Sequence, residues 1–122
     1  MTFQQRISMM GEYRNLAERL LSEGQTAAAG EMLWGTVHNV IQAIGIQHNL
    51  LGDRNEVRRA VVMHNLIDSH GYSIFLLNQL SAAGELHGHF YNRNVAESRL
   101  LMELIPTTQQ YIDTLVSIAG TP

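Results

Sequence analysis

The sequence predicts an all-α protein, a four-helix up-down bundle made of two antiparallel helical hairpins. Three observations predict it. Apolar residues recur at helical spacing through four long segments. Capping and turn residues punctuate the gaps between those segments. The 122 residues are 45% apolar and contain no cysteine, so one core can form without disulfides or a structural metal, and the whole chain reads as one domain.

The first helix is expected over residues 2–22. Phe3, Ile7, Met10, Leu16, Leu20 and Leu21 share a side, with Tyr13 and Ala17 beside them. Gly24 ends it, because glycine takes the left-handed cap conformation at little cost. The second helix is expected over residues 26–44, with Thr26 as its N-cap and Leu33, Trp34, Val37, Val40, Ile41 and Ile44 on a wide apolar face. Gly30 and Gly35 cost about 1 kcal/mol each inside a helix, which makes sense where another helix crosses closely. The short link between these two helices makes them antiparallel neighbours.

Asp53 and Glu56 have capping-box spacing and open a third helix, expected to run to residue 80. Its stripe is Val57, Val61, His64, Ile67, Gly71, Ile74 and Leu77, which puts His64 on the core face. Residues 81–93, rich in glycine, histidine and aromatics, are expected to be irregular. Asn94 and Glu97 cap a fourth helix that carries Leu101, Leu104, Ile105, Tyr111, Ile112, Leu115 and Ile118, with a kink or restart at Pro106.

Net charge is −3, from eleven acids and eight arginines, and lysine is absent. That balance gives no global attraction for nucleic acid, so any RNA contact needs a local arginine patch. The opening MTFQQRISMMGEYR lacks the apolar core of a signal peptide, and no run nears the ~20 apolar residues of a membrane helix. A cytoplasmic protein without a membrane partner is expected. No phosphate-binding loop, dinucleotide fingerprint, nucleophile elbow or His-Glu-x-x-His motif occurs, so no cofactor is expected.

Two stretches carry a resemblance. LAERLLSEGQTAAAGEMLWGTVHNVIQAI holds Glu31, Trp34 and Gly35, and ELHGHFYNRN holds Leu86, His87, Phe90 and Tyr91. Together they resemble the HEPN superfamily of small helical bundles, particularly its archaeal repetitive-element branch; His89 stands where an asparagine-like residue would be usual. The resemblance implies a homodimer. It also implies either a binding or scaffold module, or a metal-independent ribonuclease, often a toxin partnered by a nucleotidyltransferase-like antitoxin.

Catalytic members carry an arginine followed four to six residues later by a histidine. Here Arg59 and His64 match, with Arg58 as an alternative cation. Metal-free RNA cleavage needs a base for the 2′-hydroxyl and a cation for the phosphorane, and these residue types supply both. The motif lies early in its helix, however, with His64 on the expected core stripe, so a histidine bonded within the bundle is the competing expectation. His64 and Asp68 are four apart and share a face, but no di-iron signature or other metal set is present. His87, His89, Tyr91 and Arg93 form a second candidate group, able to stack a base and grip a phosphate, or else to plug one end of the bundle. Trp34 is expected in the core or at a dimer interface. The favoured expectation is a dimeric interaction module for protein, nucleotide or RNA, with a ribonuclease and a small-ligand bundle as alternatives.

Overall fold

The computed structural model describes residues 1–91 and 98–120, the side chains of residues 91, 98 and 99 excepted. These residues form five helices and no strand: α1 (Phe3–Ser22), α2 (Thr26–Gln47), α3 (Arg59–His70), α4 (Phe75–Tyr91) and α5 (Ser98–Ala119). One core takes side chains from all five, among them Met10, Leu33, Ile41, Met63, Leu86 and Tyr111.

The first hairpin is built as the sequence expects. Thr2 and Gln5 close a reciprocal capping box at the start of α1. Gly24 adopts φ +75°. Its N–H donates to Leu21 O (3.1 Å) and that of Gln25 to Leu20 O (2.8 Å), the paired bonds of a Schellman cap. The chain then turns into α2, whose N-cap is Gln25 rather than Thr26.

α2 is the axis of the molecule and packs against each of the other four helices. Residues 39–45 are buried on every side, as expected of a central helix. Its glycines mark close approaches. A Cβ at position 35 would stand 2.9 Å from the Tyr13 ring of α1, and one at position 30 would stand 3.3 Å from Leu86 Cδ2 of α4.

The middle of the chain departs from expectation. No helix starts at Asp53. The backbone of Val57 is instead tied to Gln42 of α2: Val57 N–H donates to Oε1 (2.9 Å) and Gln42 Nε2 donates to Val57 O (2.6 Å). That pairing holds the chain in extended form, and α3 opens only at Arg59, with Arg58 as an N-cap that makes no side-chain bond. Gly71, at φ +74°, then ends α3, so the third expected helix is two helices.

The expected stripe is also out of register. Val62, Met63 and Leu66 are buried, whereas Val61 is 42% and Ile74 66% exposed. The run from Val61 to Ile67 has enough apolar residues to offer two neighbouring faces. Contact decides between them: Val62 meets α2 near Gly45, and Met63 Sδ accepts from the Tyr111 hydroxyl (3.1 Å). His64 is therefore not a core residue; its side chain is 60% exposed.

The segment expected to be irregular is helical as far as Tyr91. Gly84 and Gly88 weaken that helix locally, but tertiary packing outweighs the propensity: Ala83 and Leu86 are fully buried. Pro106 lies inside α5, which runs through it without restarting. The expected cap at Asn94 and Glu97 lies outside the described residues. No helix among the described residues is long and apolar enough to cross a membrane.

Candidate functional site

Between α2, the start of α3 and α4 lies a cleft of about 670 Å³. Trp34 and His38, four apart on α2, form its floor. Glu56, Arg58 and Arg59 form one wall, at and before the start of α3. Leu80, Ser81 and Gly84 of α4 form the other. Gly84 offers bare backbone to the edge of the Trp34 indole, 3.7 Å from where a Cβ would stand.

The polar groups form one chain. The Arg59 guanidinium lies over the Trp34 ring, 4.7 Å from its centroid. Its Nη1 donates to His38 Nδ1 (3.0 Å). Arginine has no acceptor, so Nδ1 must present its lone pair and the neutral ring carries its proton on Nε2. Nε2 faces Glu56 Oε1 at 3.4 Å, a long contact. The same oxygen accepts from Arg6 Nη2 (3.1 Å). Arg6 is buried, donates from Nη1 to Asn39 Oδ1 (3.0 Å), and leaves its Nε without a partner. Asn39 in turn donates to Gly35 O (2.8 Å). Arg6 and Arg59 thus stand at the two ends of a chain that runs through Glu56 and His38.

Burial holds the His38 pKa below 6.5; Glu56 pulls it up, and Arg59 and Arg6 add to the lowering. Glu56 is held below 4.5, chiefly by its bond from Arg6. A histidine depressed in the folded state binds protons more readily when unfolded. Its stabilising contribution is therefore complete above pH 6.5 and is lost as pH falls below that value. His48, also lowered by burial, acts in the same direction. The midpoint of urea unfolding should thus be flat above about pH 7 and drop between pH 6.5 and 5. A midpoint that rises over that interval would contradict this assignment.

The residues singled out by sequence are only partly brought together. Arg59 enters the cleft, but His64, five positions on, sits about 140° around the helix. His64 faces solvent beside Asp68 (3.9 Å). His87 lies on α4, where its Nδ1 meets both Glu31 oxygens at 2.8 and 2.9 Å, with its ring 6.2 Å from Trp34. His89, two residues further along the same helix, faces another way and is partly buried. The Tyr91 side chain and all of Arg93 lie outside the described residues.

Sequence reasoning missed His38 and Glu56 and assigned Trp34 to the core or an interface. The available signal was the spacing of Glu31, Trp34 and His38, at i, i+3 and i+7, which puts two ionisable groups and an indole on one face of α2. Among the described residues no group of three or more His, Asp or Glu is placed to hold a metal ion. Comparison of the chain with protein-family models, curated proteins and solved structures finds no match.

Proposed function

We propose that this chain is a HEPN-like interaction module, working as a homodimer, that takes a phosphate-bearing nucleotide or RNA segment in the Trp34–Arg59 cleft. One observation carries the reading: an arginine guanidinium held over a tryptophan ring, inside a cleft large enough for a small ligand. Guanidinium groups bind phosphate bidentately, and an indole face stacks on a base. Arg58 adds a second cation, and the first turn of α3, which has no side-chain cap, adds backbone N–H groups suited to an anion. Arg6 offsets the charge of Glu56 from behind, so the carboxylate does not repel the ligand. The pairing with a second copy rests on the family resemblance alone.

Trp34 is the sole tryptophan, so its fluorescence reports on this cleft alone. Titration with a nucleoside monophosphate should change its emission saturably, and inorganic phosphate should do so more weakly. A flat response to both would refute the proposal.

The ribonuclease reading keeps one observation in its favour: His64 is open to solvent and has an acidic partner. It requires a dimer that brings His64 of one copy towards Arg59 of the other. Wild type and His64→Ala cutting mixed RNA equally, or neither cutting it, would rule that role out.

A further inference from the structure

Resting on the phosphate reading of the cleft, we infer that His38 ties ligand binding there to the uptake of one proton, so that affinity rises as pH falls.

The geometry makes Arg59 and a second His38 proton rivals. Arg59 Nη1 donates to His38 Nδ1 at 3.0 Å, and a guanidinium can only donate. The bond exists only while Nδ1 keeps a lone pair, in the neutral ring with its proton on Nε2. Protonation turns Nδ1 into a second donor. Two donors and two positive charges then face each other across 3.0 Å, and the contact cannot persist. The other side of the ring suits the charged form. Nε2 faces Glu56 Oε1 at 3.4 Å, a long contact that tightens into an ion pair when the ring becomes cationic. Glu56 itself stays anchored by Arg6 (3.1 Å). Protonation therefore leaves His38 with Glu56 and releases the guanidinium to the cleft.

A bound phosphate pushes the same equilibrium. Drawing Arg59 to phosphate oxygens takes the donor away from His38 Nδ1, in a side chain that is only 22% exposed. The nitrogen then takes a proton from solvent and donates to the anion. Burial chiefly keeps the ring neutral against the pull of Glu56, and the charges of Arg59 and Arg6 add to that. An anion beside Arg59 offsets part of its charge, so binding raises the His38 pKa and, reciprocally, protonation strengthens binding.

The other groups around the ring leave this sign unchanged. Arg58, from the chain before α3, is always charged, and the α4 wall of Leu80, Ser81 and Gly84 holds nothing that titrates. No residue of α5 lines the cleft. Glu31, further along the same face of α2, is paired with His87 of α4.

The test is a Trp34 fluorescence titration with 3′,5′-cyclic UMP at about pH 7.5 and about pH 5.5, with circular dichroism confirming the helical fold at each. Neither the phosphodiester nor the uracil of this probe titrates in that interval, unlike a phosphate monoester, whose second pKa is about 6. The dissociation constant should be about 5-fold or more lower at the acid pH. His38→Gln cannot take a proton, so its affinity, whatever its value, should be the same at both. The wild type supplies a check that needs no variant. By nitrogen NMR, His38 should be the Nε2–H tautomer at neutral pH, and saturating cyclic UMP should raise its pKa. Affinity that is flat with pH, a pH dependence that survives in His38→Gln, or a His38 pKa unmoved by ligand would each overturn the coupling while leaving the phosphate reading in place. Absence of saturable binding at both pH values would remove the phosphate reading and the coupling together.

Discussion

Replacing Gln42 by leucine should destabilise the fold by about 2–5 kcal/mol, more than most single substitutions in this chain. Gln42 is fully buried, and its amide makes both bonds that the backbone of Val57 needs. Leucine has nearly the same size, so little cavity is left. What is lost is satisfaction: a backbone N–H and C=O in a buried setting would have no partner, at about 1–3 kcal/mol each. The effect should spread, because Val57 anchors the extended segment that carries Glu56 and Arg58 to the cleft. Denaturant unfolding, followed by helical circular dichroism, measures the change in stability. Trp34 emission of the still-folded variant measures the displacement of the cleft wall. A loss under about 1 kcal/mol would mean that the segment is held mainly by the burial of the Val57 side chain.

Arg59→Ala should weaken nucleotide binding by about 10- to 100-fold, in line with roughly 1.5–3 kcal/mol for a hydrogen bond to a charged group. Arg59 reaches both the indole and His38, so its removal strips the phosphate donor from the cleft. Arg59→Lys separates the two contributions. Lysine keeps the charge but not the planar fork, so its affinity should fall between those of wild type and alanine. Binding to the wild type should also weaken as salt rises, since the arginines are only partly shielded from solvent. Stability should change little in either variant, because Arg59 lies at the first position of its helix and at the rim of the cleft. Equal affinity for wild type and Arg59→Ala in the Trp34 titration would remove the arginine from the site and leave the proposed function without its main support.

The two kinds of residue in these predictions differ in how readable they were. Gly24, Gly30 and Gly35 could be interpreted from sequence, because a glycine at a helix end or on an apolar face has few uses. Gln42 could not. A glutamine inside an apolar run looks like an interruption until its partner, fifteen residues on, is known. The capping-box spacing of Asp53 and Glu56 misled for the same reason: Glu56 is used by Arg6 of α1 and His38 of α2, and the helix waits until Arg59.

The helical class, the first hairpin with its glycine cap, the apolar face of α2 and the helical stretch through Leu101 to Ile118 were all legible from local pattern. All of these follow from spacings within a few turns and from backbone preferences of single residues, which act locally. Packing between helices set the register of α3, the break at Gly71, the helical state of residues 85–90, and the exposure of His64. It also decided that His38, Glu56 and Arg59 meet beside Trp34. Each of these depends on a contact between residues far apart in the chain, such as Gln42 with Val57, Met63 with Tyr111, or Trp34 with Gly84. The energy of such a contact depends on where the other helix lies, and no local pattern records that.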